Sequence, residues 1–253
     1  MVDLKICIIT QARVGSTRFP QKVLQKIKTD TMLGFHIKRL KQSRLANSII
    51  VATTKEEKAD QIVDIAKSLN VDAIQGSTSE VLNRFYKAAL TENPDYIVRV
   101  TSDCPLIDAK LIDKVIQMAL DKNLDYCANT LKQEFPDGQD IEVFKFSALA
   151  KAWKEAKLQS DREHVTPFIR RNSSFLNEGM FKSANYDAPS NFNDIRMTVD
   201  EPVDLETIRI LVNALGTQKD WMTYTTYIIE NPSEFSNQKI IRNEGYQKSL
   251  KND

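Results

Sequence analysis

After the apolar pair Ile8-Ile9 the chain reads Thr10-Gln11-Ala12-Arg13-Val14-Gly15-Ser16-Thr17-Arg18-Phe19-Pro20-Gln21-Lys22. The loop carries three cations, two hydroxyls and one of only seven glycines. Phosphate groups need this mixture. Amides and hydroxyls donate hydrogen bonds, while Arg13, Arg18 and Lys22 offset the charge. The spacing is neither the Walker pattern, which has two glycines and a Lys-Ser/Thr pair, nor the dinucleotide fingerprint, for which further glycines would have to follow. It describes a phosphate loop of another kind, the bland alternative being a solvated basic turn.

Two aspartates stand at or just past the ends of strand-like runs. Asp103 lies in Arg99-Val100-Thr101-Ser102-Asp103-Cys104-Pro105-Leu106-Ile107-Asp108. Hard carboxylate oxygens are what Mg2+ takes, usually one or two of them, with phosphates and water completing the octahedron. An aspartate before Cys-Pro can also simply bond its own turn. Asp200 follows Arg196-Met197-Thr198-Val199 and precedes Glu201-Pro202, where capping the next helix competes evenly with a metal role. Two further acidic or basic constellations stand at Asp137-Gly138-Gln139-Asp140-Ile141-Glu142, which also reads as a polar hairpin, and at Ser160-Asp161-Arg162-Glu163-His164. The second could be no more than a helix start, with Ser160 or Asp161 as cap and Glu163 completing the box. His36 falls inside a helical pattern and reads as structural.

The elements that position these residues alternate. Residues 4–9, 48–53, 71–75, 96–100 and 125–128 are short strand-like runs. Between them, apolar residues recur at helical spacing over 31–42, through Ala59 to Leu69, through Val81 to Ala89, and after Asp108, which can cap its helix. Strand and helix in alternation imply parallel strands joined by right-handed crossovers, an α/β sheet with helices on both faces. Ligands then bind at the carboxyl ends of the strands, so the loops after Ile9 and Val100 share one rim. Past the Pro136-Asp137-Gly138 turn the rhythm changes. A strand is expected over 140–146, helices over 147–158 and 161–172, and a looping segment over 173–193. Residues 195–199 read as a strand returning to the sheet, with Pro202 opening a helix. The last forty residues are polar and read as helical.

Composition narrows the class. The 253 residues suit one large domain, and 35 Lys plus Arg against 34 Asp plus Glu leave a formal charge of only +1. A general nucleic-acid binder would show a basic excess. No apolar run approaches the length of a membrane span and no leader pattern is visible. Cys7, Cys104 and Cys127 are odd in number and lack metal-ligand spacing, so reduced structural thiols and a cytoplasmic location are expected.

The segments 12–24, 98–108 ("VRxTxDCPLID"), 136–144 ("PDGxDxEVF"), 162–168 ("REHVTPF") and 196–205 ("RxTVDxPxDL") together resemble the sugar-acid cytidylyltransferases, the group of the sialate and Kdo CMP-synthetases, and most closely their spore-coat-polysaccharide branch. These matches span residues 4–212 in order. The better-known enzymes carry Leu before the loop proline and Gly after it, where Phe19 and Gln21 stand here.

The resemblance implies a nucleotidyltransferase-type, Rossmann-like, mostly parallel sheet with a small inserted α+β subdomain. It implies one domain over 1–253, with 130–194 serving acceptor binding and dimerisation. It further implies CTP and Mg2+ as reactants, pyrophosphate as product, no nucleic-acid or membrane partner, and a homodimer. Position by position, Arg13, Ser16, Arg18 and Lys22 would contact the triphosphate, and the backbone of Gln11 and Ala12 would read cytosine. Asp103 and Asp200 would hold Mg2+. Asp137, Asp140, Glu142, Arg162 and His164 would lie along the sugar. The reaction expected is attack by a hydroxyl of a 2-keto nonulosonic or Kdo-like acid on the α-phosphorus, with Arg18 and Lys22 stabilising the departing pyrophosphate. A nucleotide-sugar glycosyltransferase of related fold, or a nucleotide-binding protein without catalysis, are the competing classes.

Overall fold

The computed structural model describes residues 4–176, 179–240 and 242. In chain order its elements are β1 (Ile6–Gln11), β2 (Lys26–Ile27), β3 (Asp30–Thr31), α1 (Met32–Leu40), β4 (Ser48–Thr54), α2 (Ala59–Ser68), β5 (Asp72–Gly76), α3 (Val81–Glu92), β6 (Tyr96–Thr101), α4 (Ala109–Asp121), β7 (Tyr126–Ala128), β8 (Glu142–Lys145), α5 (Phe146–Glu155), α6 (Gln159–His164), α7 (Pro167–Arg171), β9 (Ser183–Asn185), α8 (Pro202–Leu215) and α9 (Trp221–Glu230). One sheet runs β5-β4-β1-β6-β8-β7-β9, and β2 and β3 pair separately.

Successive side chains of a strand point to opposite faces, and β1 shows why its sequence is apolar throughout. Cys7 and Ile9 pack with Leu82 and Phe85 of α3, Leu149 of α5 and Ile169 of α7. Ile6 and Ile8 face the other way, with Val98 and with Leu111, Ile112 and Val115 of α4. Leu33 and Ile37 of α1, Ile62 of α2 and Leu205 and Ile208 of α8 extend the cover beside Val51. Each such fully buried side chain contributes roughly 1.5–3 kcal/mol. The α/β sheet with helices on both faces is therefore as expected.

The parallel part of the sheet has its switch point at β1, which pairs with β4 on one side and β6 on the other. A crevice opens there at the carboxyl ends, where the loop after Gln11 begins. Asp108 caps α4, accepting from the amides of Lys110 (2.8 Å) and Leu111 (3.3 Å). Its second oxygen accepts from the Trp221 amide at 2.9 Å and so ties the start of α9 to the same point.

Several expectations are corrected. β8 runs antiparallel between β6 and β7, so β7 follows the direction of β6 without touching it. Residues 195–199 are extended but do not join the sheet. Their amides go elsewhere, Met197 to Asp137 O (2.7 Å) and Val199 to Asp103 O (2.8 Å), which lays the segment across the rim. The helix expected over 161–172 is broken into α6 and α7 by Val165 at φ 71°. Pro167 has no amide to continue the first helix and instead opens the second. The α6 start has Leu158 at the cap, not Ser160 or Asp161, and Asp161 is instead bound by Arg171 at 3.1 and 2.8 Å. The looping segment 173–193 contains β9, which pairs parallel with β7. Of the last forty residues, α9 and short turns through Lys239 are helical, while 241 and 243–253 lie outside the described residues. All three cysteines are free and buried. No helix among the described residues is long and apolar enough to cross a membrane.

Candidate active site

The loop after β1 folds back on itself. Ser16 and Gln21 amides both donate to Val14 O, at 3.0 and 2.9 Å, and Ser16 Oγ accepts from the Phe19 amide at 3.4 Å. Gln21 adopts φ 57°, ψ 26°. The left-handed turn that a glycine makes easily is thus made here by glutamine. This turn delivers Lys22, which is buried, to the centre of the rim.

Lys22 Nζ donates to Asp103 Oδ2 (3.2 Å), Asp200 Oδ1 (2.9 Å) and Val199 O (2.7 Å). Burial alone would discharge the ammonium, but Asp103 and Asp200 outweigh it and raise the Lys22 pKa. In return, Asp103 stays ionised. Burial pushes its pKa up, but Lys22 and local hydrogen bonds win and hold it low, at about 2. Arg18 Nη2 lies 2.9 Å from Asp200 Oδ2. Arg13 is exposed on the same loop.

Asp200 is not a helix cap. Glu201 is, in a capping box with Asp204, so the Asp200 side chain is left to the cleft. Behind it, the buried Asp204 accepts from Arg196 through Nε (2.8 Å) and Nη2 (2.9 Å), and from the Asp200 and Glu201 amides at 2.8 and 2.9 Å. Arg196 Nη1 reaches Asp137 Oδ2 at 2.9 Å. Asp137 is held in place by Gly138 at φ 112°, where a Cβ would stand 2.7 Å from the Met197 backbone. Only glycine allows that approach.

Every residue to which the resemblance gives a role lines one cleft of about 1530 Å3, whereas Ser160 and Asp161 do not. Its other half is floored by β8 and walled by α6 and α7. Glu142 Oε1 accepts from the Tyr126 hydroxyl, while Oε2 accepts from Arg99 and from Thr166 Oγ1 (3.1 Å). Asp140 pairs with Arg242, and Arg162 Nε with Glu80 Oε2 at 2.7 Å. Burial and the neighbouring Asp140 push Asp137 up, to about 7, against Arg242 and Arg196. His164 lies on the wall at the end of α6.

At the carboxyl end of β1, the Ala12 amide donates to Ala52 O (3.2 Å) and Gln11 O accepts from the Ser102 amide (3.2 Å). The backbone there is partly engaged, whereas Gln11 Oε1 is buried without a partner. Three arginines of the lining were not singled out from the sequence: Arg84, Arg99 and Arg170. Arg84 is buried on α3, with its Nε unpartnered and Nη1 on Ser77 O. Gly76 is what admits its stem, since a Cβ there would lie 3.1 Å from Arg84 Cγ. Arg99 lies inside the recognised segment 98–108 but was given no role there, and nothing in the spacing distinguished Arg84 or Arg170 from solvated helix positions.

The donor set fits Mg2+. Asp103 and Asp200 offer hard oxygens around a point already occupied by a cationic nitrogen, and among the described residues no cluster of three or more metal-ligating side chains occurs. The remaining ligands would have to come from phosphates and water, the usual arrangement for this ion.

A family model described as cytidylyltransferase matches residues 6–238. An uncharacterized protein of Methanocaldococcus jannaschii is 40% identical over 205 residues, covering 80% of this chain and 81% of the relative. The spore coat polysaccharide biosynthesis protein SpsF of Bacillus subtilis is 30% identical over 222 residues, covering 85% and 89%. A solved cytidylyltransferase from Leptospira borgpetersenii superposes with TM-score 0.87 at 34% identity, over 94% of this chain and 100% of that one.

Proposed function

The chain belongs to the cytidylyltransferase family, and we propose that it transfers CMP from CTP to a sugar acid, releasing pyrophosphate, in the making of a surface polysaccharide. The observation that carries this reading is the convergence of Arg18, Lys22, Asp103 and Asp200 at the switch point of the sheet. The resemblance to sialate and Kdo synthetases and the polysaccharide role in the name of the Bacillus relative support the acceptor class.

In this reading Arg13, Ser16, Arg18 and Lys22 hold the triphosphate, and Gln11 with Ala12 face the cytosine. Asp103 and Asp200 would hold Mg2+, which when bound neutralises phosphate charge and polarises the α-phosphorus. The acceptor enters over β8, between Asp137 and His164. Its anomeric hydroxyl oxygen forms the new bond to the α-phosphorus as the bond to the pyrophosphate oxygen breaks, and the hydroxyl proton is given up to solvent. Arg18 and Lys22 stabilise the charge arriving on pyrophosphate. Catalysis comes from positioning and electrostatics, as is general for phosphoryl chemistry.

The reading extends to a homodimer through the 130–194 segment, supported by the exposed Phe175, Leu176 and Met180 close to β9 in the chain. Sedimentation velocity tests this, and a monomer at micromolar concentration overturns it.

The test of function is pyrophosphate release from the four nucleoside triphosphates with a panel of sugar acids. CTP with at least one acid is expected to react. Release of a nucleoside mono- or diphosphate from a preformed nucleotide sugar, with no pyrophosphate from CTP, would overturn the proposal in favour of a glycosyltransferase.

A further inference from the structure

The acceptor half of the cleft contains more usable positive charge than its composition suggests. Its buried and half-buried acids are already neutralised: Asp137 by Arg196, Asp140 by Arg242 and Glu142 by Arg99. Arg162 is tied to Glu80. Arg170 is different. It is half-buried on α7, lines the cleft, and among the described residues has no ion pair. Its one side-chain hydrogen bond, from Nη2 to Leu131 O, is long at 3.4 Å.

Arg99 is the second unsaturated guanidinium. It stands opposite Glu142 in the β6–β8 register and lines the cleft, giving Nη1 to that carboxylate, while Nη2 makes no hydrogen bond among the described residues. Glu142 itself has no free oxygen for a substrate, since Tyr126, Thr166 and Arg99 take both. Thr166, whose hydroxyl shares Glu142 Oε2 with Arg99, stands one helical turn before Arg170, whose amide donates to Thr166 O at 2.8 Å, so that both arginines flank the Glu142 carboxylate. A planar guanidinium with open donors, next to a saturated carboxylate, is arranged for a planar anion arriving from outside.

We propose that Arg99 and Arg170 seat the carboxylate of the acceptor, and that Glu142 is a positioning residue that orients Arg99 and does not touch the sugar. The proposal rests on the cytidylyl-transfer reading for the identity of the acceptor, and names the side chains that make an acid the required class. Tyr126 and Thr166 then fix Glu142, so that the seat is built before the acceptor arrives.

The test is calorimetric binding of Kdo and N-acetylneuraminate, each beside its C1 amide, to the full chain saturated with Mg2+ and a non-hydrolysable CTP analogue. At least one acid is expected to bind about tenfold or more tightly than its amide. Arg170→Ala should remove that preference without changing affinity for the CTP analogue, and Arg170→Lys should restore part of it. Glu142→Gln should lower the acid-to-amide ratio, a readout that loss of packing alone does not move. Equal binding of acid and amide, an unchanged ratio in Arg170→Ala, or no binding of either acid overturns the seat. An acid that binds through Arg170 but yields no pyrophosphate with CTP overturns the transfer reading and leaves the seat standing.

Discussion

The ammonium of Lys22 stands 3.2 Å from Asp103 Oδ2, and the same nitrogen is 2.9 Å from Asp200 Oδ1. An internal cation therefore bridges the two carboxylates proposed to hold the divalent ion. Asp200 is further engaged by Arg18 at 2.9 Å and by Arg196 at 3.6 Å. A triphosphate arriving on the loop would attract Lys22 and Arg18 and free those oxygens. Metal and nucleotide binding are then coupled, each easing the other.

Mn2+ binding to the nucleotide-free protein, followed by electron paramagnetic resonance, is accordingly expected to be weak. Lys22→Met should tighten it by about tenfold or more, because two carboxylates lose their bridging cation. The same variant should lose about a hundredfold in turnover, the usual cost of one preorganised charge donor. Unchanged Mn2+ affinity in Lys22→Met would mean that the ammonium does not occupy the metal position.

Arg84 presents the opposite problem, a buried cation without an anion. Burial, then Arg13, lowers its pKa to about 10 against the pull of Glu56. Such a group destabilises the empty protein and is satisfied by an anionic or carbonyl-rich ligand. Arg84→Met is expected to raise the melting temperature while weakening CTP binding by about tenfold or more, as a charge-assisted hydrogen bond is lost. A lower melting temperature with unaltered CTP affinity would show Arg84 to be a structural strut.

The parts of this molecule legible in the sequence are those set by local chemistry. β1 is a buried strand because Ile6, Ile8 and Ile9 leave no polar face, and the loop that follows advertises its cations directly. Asp103 and Asp200 could be placed on one rim because each stands at or just past the end of a strand-like run. What was not legible depends on distant partners. β8 enters between β6 and β7 by long-range pairing, which no short-range pattern encodes. Residues 195–199 have strand-like sequence, yet their amides are taken by Asp137 and Asp103. The sequence offered Asp200 as a cap for α8 in even competition with a metal role, and only the reciprocal bond between Glu201 and Asp204 shows that Glu201 takes the cap instead. Arg84 and Arg170 looked like any charged helix position until burial and missing partners set them apart.

His36 gives a pH dependence with a definite sign. Its Nδ1 faces Cys104 O at 2.9 Å, and since a carbonyl only accepts, Nδ1 carries the proton and Nε2 accepts from Thr10 Oγ1 at 3.0 Å. Burial lowers its pKa to about 4 against the pull of that carbonyl. The unfolded chain, with a histidine near 6.5, then binds a proton that the folded one refuses. Stability from this residue is complete above pH 6.5 and falls by about 2 kcal/mol between pH 7 and pH 5. Asp137, raised to about 7, works in the opposite direction over the same window, so the comparison must be with His36→Gln. Urea unfolding at the two pH values should show a loss smaller by about 2 kcal/mol in the variant. Parallel slopes would refute the neutral-imidazole assignment.

Asp204 links the stability of the fold to the geometry of the cleft. Its carboxylate is fully buried and accepts from Arg196, Asn237 and the amides of Asp200 and Glu201. Burial disfavours the charged form, yet the Arg196 and Asn237 hydrogen bonds more than compensate and keep its pKa low. Asp204→Asn would preserve the shape but replace an acceptor with a donor beside the Arg196 guanidinium. Removing one partner of a buried pair costs about 3–5 kcal/mol. Because the Asp200 amide loses its acceptor at the same time, the carboxylate of the same residue is released from its fixed direction. The variant should therefore show both a lower urea midpoint and weaker Mn2+ binding in the presence of CTP, even at temperatures where it remains folded. Destabilisation with full metal affinity would confine Asp204 to the fold. Loss of metal affinity without destabilisation would mean that Arg196 is held by Asp137 alone.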